Sequence, residues 1–335
     1  MEQRKYNIAV VGATGLVGRT FLKVLEEYKF PIKEIRLLAS ERSEGLKLMF
    51  NGEEHTVHTL KEDSFDGVEI ALFSAGASVS RQFAPIAAKA GALVVDNSSC
   101  WRMDPTIPLV VPEVNPQDIV GKGIIANPNC STIQSIIPLK ALQEKYGLKR
   151  VCYTTYQATS GSGQKGRNDL ERTEKGEAPE FYPYPIAQTC IPEIDVFLEN
   201  GYTKEEMKMV NETHKMMHMP DLPISATCVR VPVANSHAVS IEIDLDKVPA
   251  SLDEVRECLN NWPGLKVVDN GANHEYPTSL LSNGNDTVYV GRIRKDLSAP
   301  NGLLIYCTAD NIRKGAAANA VQIAKYVIEH DMLGK

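Results

Sequence analysis

The hexapeptide Asn127-Pro128-Asn129-Cys130-Ser131-Thr132 sets a thiol at the start of a stretch, Ser131 to Tyr146, that reads as a helix. A cysteine at or beside a helix N-terminus lies where the dipole favours thiolate over thiol. A thiolate attacks acyl phosphates and aldehydes, and the neighbouring backbone N–H groups can stabilise the oxyanion that results. A buried cysteine beside a proline turn would look the same in isolation. The thiol therefore gains its meaning from a second motif.

That motif is Gly12-Ala13-Thr14-Gly15-Leu16-Val17-Gly18, a G-x-x-G-x-x-G variant of the dinucleotide fingerprint. Its logic is a tight turn, close backbone approach to a pyrophosphate, and a helix N-terminus aimed at negative charge. An ordinary glycine-rich turn has the same composition. Here, though, the apolar run Asn7 to Val11 precedes it. Val17, Phe21, Val24, Leu25 and Tyr28 follow at helical spacing, which supplies the strand–turn–helix context that a nucleotide site requires. The residue group at the end of the next strand chooses the cofactor. Ser40-Glu41-Arg42-Ser43 offers one guanidinium and two hydroxyls for a 2′-phosphate, which favours NADP. Glu41 repels such a phosphate unless it points away, and a solvated turn is the alternative for the whole tetrapeptide.

The elements around these motifs alternate. Strands are predicted at Ile35 to Ala39, Glu69 to Phe73, Leu93 to Asp96 and Pro108 to Val111, with an amphipathic helix over Ser80 to Ala90. Such alternation predicts a parallel, doubly wound α/β sheet. After Asn127 the character changes. The helix from Ser131 leads to β-rich segments, Val151 to Tyr156, Ser225 to Val233 and Ala238 to Leu245, separated by long connections, one of them rich in Pro and Tyr (Gly176 to Pro192). We expect an α/β mixed-sheet second domain over 128–313. The last helix, Ala316 to Glu329, is expected to pack back onto the first domain, which then comprises 1–127 with 314–335.

Composition narrows the function classes. The 335 residues are 43% hydrophobic and 23% charged, ordinary for a globular chain of about two domains. A formal net charge of -6 and the lack of any basic run argue against nucleic-acid binding. No stretch approaches the roughly 20 apolar residues of a membrane span, and the first seven residues carry no targeting pattern. Seven cysteines without a C-x-x-C pair suit a reducing cytoplasm. Two clusters bear weakly on metals. His214 to Met219 has soft donors but reads as core methionine at helical spacing, and His55 and His58 lack a third ligand in an alternating, strand-like segment. No metal site is expected.

Beyond the two motifs, the chain resembles the aspartate-semialdehyde dehydrogenase family along essentially its whole length. The matching segments, in order, begin with the glycine turn, Asp96-Asn97-Ser98-Ser99, the Cys130 hexapeptide and Gln157-Ala158-Thr159-Ser160-Gly161-Ser162-Gly163. They continue through Asn211-Glu212-Thr213-His214-Lys215, Cys228 to Val233 leading to His237, Val290 to Asp296, and Asp310-Asn311 before Lys314-Gly315-Ala316-Ala317. The resemblance implies an N-terminal Rossmann-type sheet with a glyceraldehyde-3-phosphate dehydrogenase-like catalytic and dimerisation domain, hence a homo-oligomer, dimer or tetramer. It implies reversible reductive dephosphorylation of L-aspartyl 4-phosphate by NADPH to L-aspartate 4-semialdehyde and phosphate, a step toward lysine, threonine, methionine and isoleucine. Carried onto this sequence, Cys130 becomes the thioacyl nucleophile and His237 the acid/base group. Gln157 orients the substrate, Arg230 pairs with its α-carboxylate, and Glu212 meets its α-amino group. Arg102, Asn129 and Lys215 form the phosphate site, while Ser160, Gly161 and Asn311 approach the cofactor.

These roles suit the chemistry. A substrate bearing carboxylate, ammonium and phosphate needs an Arg fork, a carboxylate and further cations in return. Each residue also has a plainer reading. Arg230 can be a surface charge on an edge strand, and Glu212 with Lys215 a solvated i, i+3 ion pair. His237 can be an ordinary strand histidine, Arg102 can stack on Trp101, and Ser160, Gly161 and Asn311 can belong to simple turns. Two rival functions use the same logic. Another acyl-phosphate reductase, such as an N-acetyl-γ-glutamyl-phosphate reductase, shares the Cys/His pair, but an acylated amino group leaves Glu212 less useful. A non-catalytic NADP sensor would not need Cys130, His237 and the charged clamp.

Overall fold

The computed structural model describes residues 4–333. They fall into two compact units, one formed by residues 4–128 with 316–333 and the other by Asn129–Gly315.

The first unit begins with β1 (Tyr6–Val11), α1 (Leu16–Glu27), β2 (Ile32–Ala39), β3 (Lys47–Phe50) and β4 (Glu53–Thr59). It continues with β5 (Ile70–Phe73), α2 (Ala77–Lys89), β6 (Leu93–Asp96) and β7 (Gly123–Ala126). Its sheet runs β3-β4-β2-β1-β5-β6-β7, and only the β3–β4 pairing is antiparallel. Without β3 this is the doubly wound order whose switch point lies between β1 and β5, where the chain leaves both strands in opposite directions and opens a ligand crevice. β5 and β6 are buried at every position, the uninterrupted apolar run that a strand covered on both faces requires. Phe21, Leu22, Val24 and Leu25 form the buried stripe of α1.

The predicted strand Pro108 to Val111 does not form. Leu109 makes only an isolated bridge to Ala126, and β7 takes the edge instead. The side chain of Asn115 explains the difference. Its Oδ1 accepts from Val111 N–H and its Nδ2 donates to Leu109 C=O, so both backbone groups are diverted from a ladder.

The second unit contains α3 (Cys130–Tyr146), β8 (Leu148–Gln157), α4 (Gly163–Glu174), α5 (Lys204–Met217), β9 (Ile224–Arg230) and β10 (His237–Leu245). After these come α6 (Leu252–Asn260), β11 (Leu265–Val267), the single turn α7 (Ser279–Ser282), β12 (Val288–Lys295) and β13 (Gly302–Ala309). The sheet order is β11-β12-β13-β10-β8-β9. It is mixed: β8–β9 and β11–β12 are parallel and the other pairs antiparallel. The strand predicted to reach Val233 stops at Arg230: Val231 N–H makes the last ladder bond, to Gln157 C=O, and Pro232 has no N–H to give. α3 buries nearly its whole circumference.

Before α8 (Ala318–Glu329) comes a π-helical turn, Arg313–Ala317, so the closing helix starts two residues later than predicted. Within the first unit Ala318, Ala320, Val321, Ile323, Ala324 and Val327 join the core that Val10, Phe21 and Leu25 also enter. Among the described residues no helix is long and apolar enough to cross a membrane.

Candidate functional site

Register brings chemistry to one end of the second unit's sheet. β8 and β9 run parallel and end in the paired residues Gln157 and Arg230. β10 runs against β8 and starts at His237, beside the end of β13 at Ala309. Two strand ends and one strand start therefore present an amide, a guanidinium and an imidazole together. β9 is an edge strand, yet Arg230 is only 4% exposed, which removes the reading of a surface charge.

One residue, Ala158, holds two of these groups. Its N–H donates to His237 Nδ1 at 2.9 Å, and its carbonyl accepts from Arg230 Nη1 at 2.6 Å. A peptide N–H can only donate, so the neutral ring carries its proton on Nε2. His237 is fully buried, and among the described residues Nε2 has no hydrogen-bond partner. Burial, with the Arg230 charge adding to it, pushes the imidazole well below the ordinary histidine range. Gly161 lies directly over both groups. A Cβ there would stand 2.7 Å from Arg230 Nη1 and 3.0 Å from His237 Nε2. The ring enters through Ser236, a non-glycine residue at φ 72°. Asn311 Oδ1 accepts from Ser236 N–H at 2.9 Å and its Nδ2 donates to Ser160 Oγ at 3.0 Å. Ser160, Gly161 and Asn311 thus form a cradle for His237, a more specific arrangement than three independent turns.

Cys130 is the first residue of α3, and Asn129 is its N-cap, accepting through Oδ1 from Ser131 and Thr132 N–H. That cap fixes where the helix begins. Gly315 packs on the cysteine, since a Cβ there would lie 2.9 Å from Cys130 Cβ. The π-helical turn earns its irregular geometry here, in keeping with the tendency of such turns to sit at functional sites.

Glu212 and Lys215 share α5. Glu212 is 1% exposed and accepts Asn129 N–H at 2.7 Å, so it belongs to the cysteine turn and not to a solvated surface pair. Lys215 is half-buried. In the same helix His214 Nε2 bonds Leu222 C=O while Met216 and Met217 are buried in the core. Sequence reasoning missed Glu205. It is 4% exposed, and one oxygen accepts from Asn129 Nδ2 at 2.8 Å and Gln157 Nε2 at 3.1 Å. Lys204-Glu205-Glu206 reads as a polar helix start, and the only usable signal was that two carboxylates follow Thr203 where a capping box needs one.

The first unit holds the glycine turn. Gly12 adopts φ +84°, and a Cβ on Gly18 would meet Gly12 O at 2.1 Å, so both positions require glycine. The N-cap Gly15 offers no side-chain acceptor and the first turn of α1 has no acidic residue, which leaves its N–H groups for an anion. Ala13 is buried, while Leu16 and Val17 are the first helical residues after Gly15. Thr14 Oγ1 lies 3.4 Å from Ser43 Oγ, tying the turn to a short helix, Glu41–Ser43, with Ser40 at its N-cap position. Arg42 and Glu41 are both exposed there. Residues of this kind fit a dinucleotide with an additional phosphate.

Arg102 also lies in the first unit, 8% exposed, donating to Asn97 C=O at 3.0 Å. Its neighbour Trp101 donates Nε1–H to Ser80. Asp96, at the end of β6, accepts from the Ser98 hydroxyl and N–H. Burial raises its pKa above the usual carboxylate range despite those bonds. His55 and His58 lie in β4. Among the described residues no group of three or more His, Cys, Asp or Glu could hold a metal ion.

Comparison with known proteins agrees with both halves. Residues 7–122 match the family described as semialdehyde dehydrogenase, NAD binding domain, and residues 139–314 its dimerisation domain. The aspartate-semialdehyde dehydrogenase of Aquifex aeolicus is 54% identical, covering 98% of this chain and 99% of its own. That of Bacillus subtilis is 48% identical over 96% and 97%. Among solved structures, aspartate semialdehyde dehydrogenase II of Vibrio cholerae complexed with ASA superposes with a TM-score of 0.93 at 44% identity, covering 98% and 99% of the two chains. The Candida albicans enzyme with NADP gives 0.78 at 25% identity over 98% and 100%. Full-length relatedness, two matched domains and a shared fold make this chain a member of the aspartate-semialdehyde dehydrogenase family.

Proposed function

We propose that the chain reduces L-aspartyl 4-phosphate to L-aspartate 4-semialdehyde with NADPH, through a thioacyl intermediate on Cys130. The observation that carries this reading is the position of Gly161, where an added Cβ would stand 2.7 Å from the carboxylate-binding fork of Arg230 and 3.0 Å from a proton-bearing nitrogen, His237 Nε2.

The Cys130 thiolate attacks the acyl carbon, the C–O bond to phosphate breaks, and phosphate leaves. The bound cofactor supplies the hydride that reduces the resulting thioester. His237, the acid/base group that the resemblance implies, acts in this reading through its Nε2–H, which donates a hydrogen bond to the oxygen that becomes charged, and collapse of that oxyanion returns the thiolate. Arg230 takes the α-carboxylate, Glu212 the α-ammonium, and Gln157 orients the acyl group. Arg102, Asn129 and Lys215 receive the phosphate. The glycine turn Gly12 to Val17 receives the pyrophosphate, and Ser40, Arg42 and Ser43 the 2′-phosphate, with Glu41 directed away. Ser160, Gly161 and Asn311 lie along the cofactor side. The exposed Arg42 and the NADP in the Candida albicans structure support NADP over NAD.

The step feeds lysine, threonine, methionine and isoleucine synthesis. The seven reduced cysteines suit a cytoplasmic protein. The family description of 139–314 as a dimerisation domain supports a homo-oligomer built on the second unit, with residues 1–127 and 314–335 as the cofactor domain.

The test is NADP reduction by the purified protein with aspartate semialdehyde, with and without inorganic phosphate, and with N-acetylglutamate semialdehyde as the rival substrate. Turnover must depend on phosphate, favour the aspartyl substrate and vanish in Cys130→Ala. An unchanged rate in that variant overturns the mechanism.

A further inference from the structure

Glu205 is a buried carboxylate in the first turn of α5 that helix formation does not explain. The capping box there is made by its neighbours: Thr203 accepts from Glu206 N–H, and Glu206 accepts from Thr203 N–H. Glu206 also accepts Cys228 N–H from β9, which pins the helix start to the sheet. Glu205 is left to do something else. Its Oε1 takes hydrogen bonds from Asn129 Nδ2 and Gln157 Nε2, at 2.8 and 3.1 Å. Its Oε2 takes Lys208 Nζ at 3.0 Å, and Lys208 in turn holds Asp195 at 2.9 Å. Burial opposes the charge, yet Lys208 and the two amides together hold the carboxyl below the usual range.

The consequence is a decision about amide orientation. With Nδ2 on Glu205, Asn129 must aim Oδ1 at the N–H groups of Ser131 and Thr132, which sets the residue immediately before the nucleophile. Gln157 spends both Nε2 hydrogens on Glu205 and Thr155 Oγ1. Only Oε1 remains for a substrate, so Gln157 meets it as an acceptor. A neutral amide or carboxylic acid at 205 would turn a donor onto the Lys208 ammonium at the Oε2 position, so only an ionised carboxylate accepts from Asn129, Gln157 and Lys208 together and holds both orientations in place. The groups facing Glu205 are Lys208 on its own helix, Asp195 in the preceding loop, the Cys228 thiol of β9, and Glu212, which shares Asn129 with it.

We infer that Glu205 is a positioning residue for the reaction, its ionised carboxylate locking Asn129 and Gln157 in the orientations that present Cys130 and the substrate to one another. The role rests on the reading of Cys130 as nucleophile. It also makes the charge of Glu205 part of the electrostatic surroundings of the thiol, opposing the α3 dipole.

The experiment compares the full-length wild type with Glu205→Gln and Lys208→Met, following steady-state kinetics and the pH dependence of Cys130 alkylation by iodoacetamide. For Glu205→Gln, kcat falls by about 10- to 100-fold, the size expected for losing one charge-assisted hydrogen bond, while KM for the nicotinamide cofactor is unchanged. The alkylation midpoint moves to lower pH, because a negative neighbour is gone. A merely structural glutamate would lower the melting temperature and leave that midpoint in place. Lys208→Met strips the counter-charge but keeps the carboxylate, so the acid limb of kcat moves to higher pH, and the double variant loses that shift. Should Glu205→Gln not fold, the Lys208→Met profile decides alone. Wild-type kcat and alkylation in Glu205→Gln, or an unmoved acid limb in Lys208→Met, overturns the inference. Wild-type protein without phosphate-dependent turnover would instead sink the parent reading, and the alkylation profiles would still report on Glu205.

Discussion

Ala158 N–H donates to His237 Nδ1, and that bond decides what the histidine can do. An imidazolium would place an N–H against an N–H, so the ring is held neutral with its proton on Nε2. In this state it offers a hydrogen bond to a charged oxygen and gains nothing from titrating near pH 6.5. The proposed cycle tolerates this, since in it thiolate enters and thiolate returns.

A fixed donor can be partly replaced by another donor. His237→Gln should therefore lose less activity than His237→Ala, by about 10-fold or more, the value of one donor to a developing oxyanion being roughly 2.7–4 kcal/mol at most. The wild-type kcat/KM should show no inflection attributable to this ring between pH 6 and 8. Equal losses in Gln and Ala, with a wild-type inflection near 6.5, would mean that the ring shuttles a full proton instead.

Gly161→Ala tests the close approach over Arg230 and His237. Gly161 is not in the left-handed region, so the new methyl meets no backbone penalty, only the two side chains at 2.7 and 3.0 Å. Displacing them is an overpacking cost of about 1–3 kcal/mol. We expect kcat/KM to fall by about 10- to 100-fold with circular dichroism unchanged. Wild-type kinetics would remove Gly161 from the site.

Much of this arrangement was legible, for physical reasons that differ by residue. The turn at Gly12 announces itself because only glycine takes φ +84° beneath Ser74. Cys130 announces itself because Asn129 is a strong cap. Gln157, Arg230 and His237 were found by likeness alone, since the parallel β8–β9 register that aligns the first two is a tertiary fact. Glu205 was invisible because its burial depends on α3 and β8, far away in sequence. β7 was missed because its four residues, Gly123–Ala126, carry little period, and Asn115 silently took the hydrogen bonds of the strand predicted in its stead.

Arg230→Lys keeps the charge and removes the fork. Lysine cannot reproduce the Nη1 bond to Ala158 C=O together with a bidentate carboxylate contact. The loss is about 1.5–3 kcal/mol, or roughly 10- to 150-fold, and should fall mainly on KM for the amino-acid substrate, with KM for NADP unchanged. A variant with normal substrate KM would dissociate Arg230 from the α-carboxylate.

The same buried ring makes a prediction for stability. His237 in the folded chain binds its second proton only well below the ordinary value, whereas the unfolded chain binds it near pH 6.5. Below that pH the unfolded state holds more protons, so stability falls as pH drops, by up to about 1.4 kcal/mol per unit until the folded ring itself titrates. His237→Gln cannot bind that proton in either state. Urea midpoints measured for both proteins at pH 7 and pH 5.5 should therefore converge at the lower pH, because every other titrating group is common to the pair and cancels. Parallel pH dependence in the two proteins would show that the ring is not held neutral, and the Ala158 bond would lose the role given to it.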